Sequence, residues 1–339
     1  MTINAPYDAQ NDVVFESVPC PCGAPNAQDR LIAAHDPVSG DAWTYRRCAA
    51  CGMERLSPRP VMAEMHRYYA DDYAPYSDAA ASATSRVDRL KRLVYETYFA
   101  ARAERSATAR RFRPLLLVGL APFRQHSVLS FRPPAARRVF ELGAGSGADL
   151  LEFKAAGWDV LGCEPSRSGC EAAARHGVTL TQCTAEDAVL PDGLSCVYMN
   201  NVFEHLHEPL TVLDKARTSL VPDGIVVIIV PNHASWAARL FGAAWPGYDP
   251  PRHIWGYTPR ALRNLFQGAG FEVVSIDHKY PLSTFCWAMG LAGDRAGTVR
   301  LRAARIRLKN LLGRGILLAG MVASLFGHGD YIRLVARKP

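Results

Sequence analysis

The sequence predicts an α/β protein whose main part is an open sheet with helices packed on both faces. Three observations support this fold class. Apolar strand patterns alternate with helix patterns from about residue 136 onward, a glycine-rich turn follows the first of these strands, and two cysteine pairs precede them. With 339 residues, 49% of them hydrophobic, the chain is long and apolar enough for one large domain and a small one.

The small unit is predicted at residues 13–60, which contain two cysteine knuckles. Each knuckle ends in a glycine, which lets the backbone turn tightly around a thiolate site. The four cysteines are Cys20, Cys22, Cys48 and Cys51. We predict a structural zinc ribbon here, although the first knuckle has one spacer residue where two are usual. The competing interpretation is four unrelated reduced cysteines. The total of nine cysteines is odd, which disfavours a disulfide framework.

Residues 61–135 are predicted to form a helical, basic connector. A short helix is expected over residues 61–69 and a longer one from residue 86 to about residue 113. Between residues 81 and 139 the chain has thirteen lysines and arginines against three acidic residues, whereas the net charge of the whole chain is +7. Such a local basic surface says more about partners than the overall charge does.

Residues 136–339 carry the alternation of strands and helices. Seven strands are predicted, at residues 139–142, 159–163, 179–183, 196–200, 224–230, 271–277 and 331–336. Five helices are predicted, at residues 147–156, 166–175, 209–220, 234–241 and 259–267. A helical insertion at residues 282–328 precedes the last strand. This order predicts a Rossmann-like, doubly wound, seven-stranded sheet.

The first predicted strand ends in a turn that reads Gly-Ala-Gly-Ser-Gly at residues 143–147, and the second strand ends at Glu164. Glycines let the backbone approach a ligand closely, and the following helix offers unpaired N–H groups to it. An acidic residue at the tip of the second strand can accept hydrogen bonds from ribose hydroxyls. These features predict a nucleoside-containing cofactor. A dinucleotide is one alternative, because the turn and Ala148 also fit the form G-x-G-x-x-A.

Two further features distinguish the alternatives. Glu141 lies inside the first strand, where it could reach the cofactor's amino-acid end, and a polar cluster at residues 200–205 follows the fourth strand. In this order and spacing the motifs resemble those of class I S-adenosylmethionine-dependent methyltransferases, over about residues 136–280 with a closing strand at 331–336. The resemblance implies S-adenosyl-L-methionine as cofactor. It implies cofactor binding by Glu141, Gly143, Ala144, Gly145, Gly147, Glu164, Pro165, Ala185, Glu186, Asn200 and Asn201.

The order of segments along the chain is similar to a bacterial subgroup of these enzymes. The shared features are the second cysteine knuckle, a Ser-Pro-Arg-Pro at residues 57–60, a tyrosine-rich connector and an Asp-Pro-Pro-Arg-His at residues 249–253. The resemblance implies a small-molecule acceptor, such as a sugar, a surface-polysaccharide precursor or a secondary metabolite.

Two histidines are candidates for the general base of methyl transfer to a hydroxyl, His205 after the fourth strand and His253 in the loop after the fifth. A histidine with a pKa near neutrality suits that role. For each, the alternative is a histidine that fixes loop geometry by hydrogen bonding. Four residues near them are candidates for acceptor binding: Glu204, Tyr248, Arg252 and Tyr257. Arg252 could equally pair with a structural acid.

The insertion at residues 282–328 combines basic residues with apolar stretches. This pattern predicts either a lid over the active site or a shallow contact with an anionic membrane, and a lipid-linked saccharide as acceptor would reconcile the two. The sequence also predicts a cytoplasmic protein, with a peripheral contact at the inner membrane face. Residues 1–12 lack a signal-peptide pattern, and no apolar run reaches the ~20 residues that span a bilayer.

RNA methylation is the second function class, because basic charge and a cysteine ribbon also suit RNA. Two observations disfavour nucleic acid. The ribbon has few basic residues, and the motif after the fourth strand lacks the Asn/Asp-Pro-Pro-aromatic signature of enzymes that methylate flipped bases.

Overall fold

The computed structural model describes residues 13–36, 39–69, 86–100, 102–120, 128–132, 134, 136–279, 323–324 and 326–339. The strands are β1 (Phe15–Glu16), β2 (Arg30–His35), β3 (Ala42–Arg47), β4 (Glu54–Leu56), β5 (Arg59–Pro60), β6 (Arg138–Leu142), β7 (Asp159–Cys163), β8 (Leu194–Asn200), β9 (Leu220–Pro231), β10 (Trp255–Gly256), β11 (Glu272–Lys279) and β12 (Tyr331–Arg337). The helices are α1 (Arg86–Tyr98), α2 (Ala107–Gly119), α3 (Ala148–Ala155), α4 (Arg167–Arg175), α5 (Pro209–Ser219), α6 (Trp236–Phe241) and α7 (Pro259–Gly268).

The main sheet has six strands in the order β11-β12-β9-β8-β6-β7. Strands β9, β8, β6 and β7 are parallel, and β12 pairs antiparallel with both β9 and β11. Strands β8 and β9 are almost continuously apolar and buried, as expected for central strands covered by helices on both faces. The predicted Rossmann-like α/β fold is therefore confirmed, and the carboxyl ends of the parallel strands meet at one edge of the sheet.

The seventh predicted strand, at residues 179–183, is only a bridge beside β7. Cys163 and Thr181 form an isolated parallel pair, and Thr181 exchanges backbone hydrogen bonds with Gly162 and Glu164. The segment lies at the edge of the sheet, and three of its five residues are exposed. It buries too little apolar surface to extend the pairing, so the described sheet has six strands and one bridging segment.

The predicted helix from residue 86 to about residue 113 is instead two helices, α1 and α2. They are separated by a turn that ends at Ser106, whose side chain accepts a hydrogen bond from the Ala109 N–H and caps α2. The Ser106 N–H in turn donates to the Glu96 carboxylate at 3.2 Å, so the break is held from both sides. The short helix expected at residues 61–69 is a 3₁₀ helix over Met62–Tyr68.

The predicted insertion at residues 282–328 lies outside the described residues except for positions 323–324 and 326–328. Among the described helices, none is long and apolar enough to cross a membrane.

The N-terminal unit is joined to the larger part by a shared sheet. Strands β2, β3 and β4 form an antiparallel sheet whose fourth strand is β10, and Trp255 lies opposite Arg55 in that pairing. One apolar core runs through both parts and includes Tyr45 and Leu56 on one side and Phe203 on the other. The N-terminal unit therefore packs directly on the loop between β9 and α7.

Candidate active site

A cavity of about 1240 Å³ opens at the carboxyl ends of β6, β7 and β8. The glycine turn and the tips of these strands form one side, and the 3₁₀ helix of the connector forms another. From the predicted cofactor set the lining includes Glu141, Gly143, Ala144, Gly145, Glu164, Pro165, Ala185, Glu186, Asn200 and Asn201. Both candidate bases, His205 and His253, also line it. Sheets of this topology bind ligands at the carboxyl ends of their parallel strands. The predicted cofactor residues and the two candidate bases therefore lie together at the expected ligand site.

The glycine turn is held by Glu164 at the tip of β7. Its carboxylate accepts hydrogen bonds from the Gly145 N–H at 2.8 Å and the Ser166 N–H at 2.9 Å. Gly143 has a φ of 67°, and a Cβ added there would lie 2.5 Å from a methyl group of Val202. This position therefore requires glycine on both conformational and steric grounds.

Gly147 is the one predicted cofactor residue that does not line the cavity. It caps the N-terminus of α3 with a φ of 76°, and an added Cβ would lie 3.1 Å from the Cβ of Ala173 in α4. Its role in the structure is the close packing of these two helices.

Three acidic side chains surround the glycine turn. Burial raises the pKa of Glu141 well above its usual value, and the nearby charges of Asp149 and Glu164 raise it further. Burial also raises the pKa of Asp149 and of Glu164. Asn200 donates to the Asp149 carboxylate at 2.8 Å, whereas one oxygen of Glu141 has no hydrogen-bond partner among the described residues. Such a group of carboxylates favours a ligand that carries positive charge.

Glu186 links its own loop to the segment after β8 that carries His205 and His207. Its carboxylate accepts a hydrogen bond from the His207 N–H at 2.9 Å, and burial raises its pKa. Asn201 lies in the left-handed region with a φ of 55°, and its side chain donates to Asn200 at 3.2 Å. These contacts hold Glu186, Asn200 and Asn201 in the lining of the cavity.

His205 and His253 lie against one another with ring centroids 4.7 Å apart. The Nδ1 of His205 is 2.9 Å from the Arg252 carbonyl, and the Nδ1 of His253 is 2.8 Å from the Gly247 carbonyl. A carbonyl can only accept, so each Nδ1 carries the hydrogen and each Nε2 keeps a lone pair. Burial lowers the pKa of both rings, that of His205 to about 3 with a contribution from His253. Both are neutral imidazoles near neutral pH.

Glu204 lies behind the histidine pair and is fully buried. Neither carboxylate oxygen has a hydrogen-bond partner among the described residues, and one lies 3.9 Å from Nε2 of His253. Burial raises the pKa of Glu204 to about 8. Glu204 was predicted to bind the acceptor, and in the structure its carboxyl group lies beside the histidine pair.

None of the four predicted acceptor residues lines the cavity. Glu204 lies behind the histidine pair, and the N-terminal unit covers the loop that carries the other three. Arg252 pairs with Asp249 at 2.7 Å and with Asp36 at 3.1 Å, so it has structural acids as partners. The Tyr248 ring packs on Tyr45 with centroids 4.9 Å apart. Tyr257 is 1% exposed, and its hydroxyl donates a hydrogen bond to the Phe203 carbonyl at 3.4 Å.

Sequence reasoning did not assign a site role to the connector residues that line the cavity. These are Met62, Met65, His66 and Tyr69. The Tyr69 hydroxyl is 3.1 Å from Nδ1 of His205, so the connector contacts the candidate base directly. The tyrosine-rich pattern of the connector was visible in the sequence, but the pattern does not say which face of the sheet it covers.

The four N-terminal cysteines form one cluster. Cys20 lies 3.3 Å from Cys22 and 3.5 Å from Cys51, and Cys22 lies 3.6 Å from Cys48, between sulfurs in each case. Four sulfurs bound tetrahedrally to zinc at about 2.3 Å would be about 3.8 Å apart, close to this spacing. A hydrogen bond from Cys20 lowers the pKa of the Cys51 thiol to about 5. The donor set therefore fits a zinc ion.

Comparison with known proteins agrees with the fold and the cavity. Residues 110–276 match a family model described as "Methyltransferase domain". This match agrees with the strand order of the main sheet and with the glycine turn at the end of β6.

Curated relatives and solved structures carry related names. The chain is 29% identical over 150 residues to a "Ubiquinone biosynthesis O-methyltransferase" of Cereibacter sphaeroides, covering 40% of this chain and 61% of that protein. A protein of the same name from Rhodopseudomonas palustris is 27% identical over 148 residues, covering 40% of this chain and 58% of that protein. The chain thus spans about three fifths of the length of these relatives. A solved SAM-dependent methyltransferase from Thermotoga maritima is 18% identical, with 73% of this chain and 99% of that chain covered and a TM-score of 0.43.

Proposed function

We propose that the protein transfers a methyl group from S-adenosylmethionine to a hydroxyl of a small-molecule acceptor. The observation that carries the proposal is the single cavity that joins the glycine turn and Glu164 to the pair His205 and His253. Its volume of about 1240 Å³ exceeds the ~300–1,000 Å³ of an ordinary ligand pocket, which leaves room for a cofactor and an acceptor together.

The cofactor end is proposed to lie along the glycine turn. Glu164, already aligned by two backbone N–H groups, would accept hydrogen bonds from the ribose. Glu141 and Asp149 would face the positively charged amino-acid part of S-adenosylmethionine. That positive charge would offset the repulsion between the two carboxylates. Ala185 and Glu186 would border the adenine.

The acceptor end is proposed to lie between the connector and the histidine pair. Met62, Met65 and Tyr69 offer apolar and aromatic surface for a ring. In the reaction the acceptor hydroxyl would give its proton to Nε2 of His253, a new O–CH₃ bond would form, and the S–CH₃ bond would break to leave S-adenosylhomocysteine. Holding the acceptor oxygen in line with the methyl group supplies much of the rate enhancement.

The finer substrate class is proposed as a sugar, a saccharide precursor or a secondary metabolite. Both the O-methyltransferase relatives and the segment order of the chain support a small-molecule acceptor. A lipid-linked acceptor and a shallow contact with the inner membrane face remain proposals from the sequence of residues 282–328. Flotation with anionic liposomes would test that contact, and recovery of all protein in the unbound fraction would exclude it.

A structural zinc ion is proposed in the four-cysteine cluster. It would hold the hairpins of the N-terminal unit, whose strands β3 and β4 pack on the active-site loop.

The decisive experiment measures binding and turnover separately. Calorimetry should detect S-adenosylhomocysteine binding, and Glu164→Ala should weaken it at least about tenfold, because the carboxylate proposed to accept hydrogen bonds from the ribose is lost. Turnover with phenolic and sugar acceptors should fall in His253→Ala while S-adenosylhomocysteine affinity changes little. His66→Ala, a histidine that lines the same cavity, is the matched control.

Binding of NADH without binding of S-adenosylhomocysteine would refute the cofactor assignment. Methylation of RNA with no turnover of small molecules would refute the acceptor assignment. Equal turnover in His253→Ala and the wild type would remove His253 from the reaction.

A further inference from the structure

We infer that Glu204, His205 and His253 form a binding site for a divalent metal ion at the acceptor end of the cavity. The inference rests on the proposed function and deepens it, because it assigns the activation of the acceptor oxygen to a bound cation. It is separate from the four-cysteine cluster, which has only sulfur donors.

The three side chains converge. One ring nitrogen of each histidine and one carboxylate oxygen of Glu204 lie within 4.8 Å of one another. The closest measured approach to Glu204 is 3.9 Å, from Nε2 of His253. Donors at about 2.1 Å from a shared ion in adjacent positions would be about 3 Å apart, so small side-chain shifts would complete the site.

The hydrogen bonds of the two rings have the pattern of metal-binding histidines. A histidine that binds a metal through one nitrogen almost always donates its other N–H to a carbonyl or carboxylate, which fixes the tautomer. Here both Nδ1 atoms bond to backbone carbonyls, at 2.9 Å for His205 and 2.8 Å for His253. Each Nε2 therefore keeps a lone pair that can bind a metal ion.

Glu204 supplies the independent observation. Its side chain is fully buried, and neither oxygen has a hydrogen-bond partner within the described part of the chain. A buried carboxyl group without hydrogen-bond partners is costly, and 3.9 Å to His253 is too long for a hydrogen bond. A cation bound by Glu204 and the two imidazoles removes this cost.

Two imidazoles and one carboxylate would leave other positions of an ion free, and the two histidines line the cavity. An acceptor hydroxyl could occupy such a position, where coordination lowers its pKa so that its proton leaves to solvent as it binds. The acceptor oxygen then forms the O–CH₃ bond as the S–CH₃ bond breaks. With both histidines as ligands, the cation replaces them as the group that activates the acceptor.

The test counts metal ions. Tag-free protein is dialysed to equilibrium against micromolar Zn²⁺, and bound zinc is measured by elemental analysis for the wild type, Glu204→Gln, His253→Gln and His66→Gln. We expect Glu204→Gln and His253→Gln each to hold one equivalent less than the wild type, and the His66→Gln control to match it. Because the zinc contents of the variants are compared with that of the wild type, zinc bound in the cysteine cluster does not affect the result.

Binding of S-adenosylhomocysteine by each variant shows that the variant folds. If one of the two test variants does not fold, the other still tests the inference. Equal zinc content in all four proteins would overturn the inference. Undiminished methyl transfer by wild-type protein freed of zinc outside the cysteine cluster would overturn it too, while leaving the proposed function intact. Loss of S-adenosylhomocysteine binding in the wild type would instead count against the proposed function.

Discussion

Replacing Tyr45 by phenylalanine is expected to destabilise the fold by about 1–3 kcal/mol. Tyr45 lies in β3 and is fully buried, and its hydroxyl lies 2.8 Å from the Tyr248 carbonyl and 2.5 Å from the His253 carbonyl. A typical hydrogen bond contributes about 1 kcal/mol, and a buried acceptor left unpaired costs about 1–3 kcal/mol. A hydroxyl has one hydrogen and donates to one of these carbonyls at a time, so the substitution removes one hydrogen bond from the loop that carries a candidate catalytic histidine.

The free energy of unfolding is measured by denaturant titration, and turnover is measured beside it. The matched control is Tyr198→Phe, because Tyr198 is also fully buried but its hydroxyl has no hydrogen-bond partner among the described residues. We expect the control to change stability by less than about 0.5 kcal/mol, or to raise it. We also expect Tyr45→Phe to lower turnover more than S-adenosylhomocysteine affinity, since it frees the backbone of His253.

Equal unfolding free energies for Tyr45→Phe and Tyr198→Phe would refute the reasoning. That result would mean that the N-terminal unit covers the loop by apolar packing alone and that the two carbonyls find other partners.

Three further predictions concern the turn, a buried acid and the cysteine cluster. Gly143→Ala should abolish measurable S-adenosylhomocysteine binding in calorimetry, whereas Gly157→Ala, at a similar positive φ but with open space for its Cβ, should cost only about 1–2 kcal/mol of stability. Asp330 has a pKa raised by burial to about 6, so between about pH 4 and pH 6 the folded state binds more protons than the unfolded state and stability falls as pH rises. Asp330→Asn should flatten that fall, by roughly 1–3 kcal/mol in unfolding titrations at pH 4 and pH 7. Cys51→Ser should lose one equivalent of zinc by elemental analysis and melt earlier, whereas Cys170→Ser, outside the cluster, should keep both properties.

Each of these has a contrary outcome. Similar cofactor affinity in the two glycine variants would show that the turn tolerates a side chain. An unchanged pH slope in Asp330→Asn would place the titrating group elsewhere. Identical zinc content in the two cysteine variants would leave the cluster as reduced thiols.

Local patterns predicted the elements of the main sheet closely. The apolar run before the glycine turn and the proline that begins α7 need only neighbouring residues to be recognised, and both elements are found within a few residues of the expected bounds. The segment at residues 179–183 was predicted as a full strand but forms only a bridge. At the edge of a sheet, strand pairing continues only where the side chains are buried. Burial there depends on which other parts of the chain cover the edge, and a local pattern does not show this.

The same distinction applies to the site. The glycine turn and Glu164 follow consecutive strands, and the parallel order brings their ends together without further information. The acceptor residues expected in the loop after β9 were a different case. Arg252 and Tyr257 are polar residues in a loop, which suggests exposure, but β10 within that loop pairs with β4 and buries them.

The sequence by itself determined the sheet, the turn and the acidic residue beside it, because hydrophobic period and glycine placement act over a few residues. Only the tertiary structure decided which loop is covered, which connector lines the cavity and which three side chains converge beside it. Glu204 and His205 are neighbours in the chain, but His253 reaches them only because a loop almost fifty residues later is packed between the N-terminal unit and the sheet. Such contacts depend on long-range packing, for which a single sequence has no local pattern.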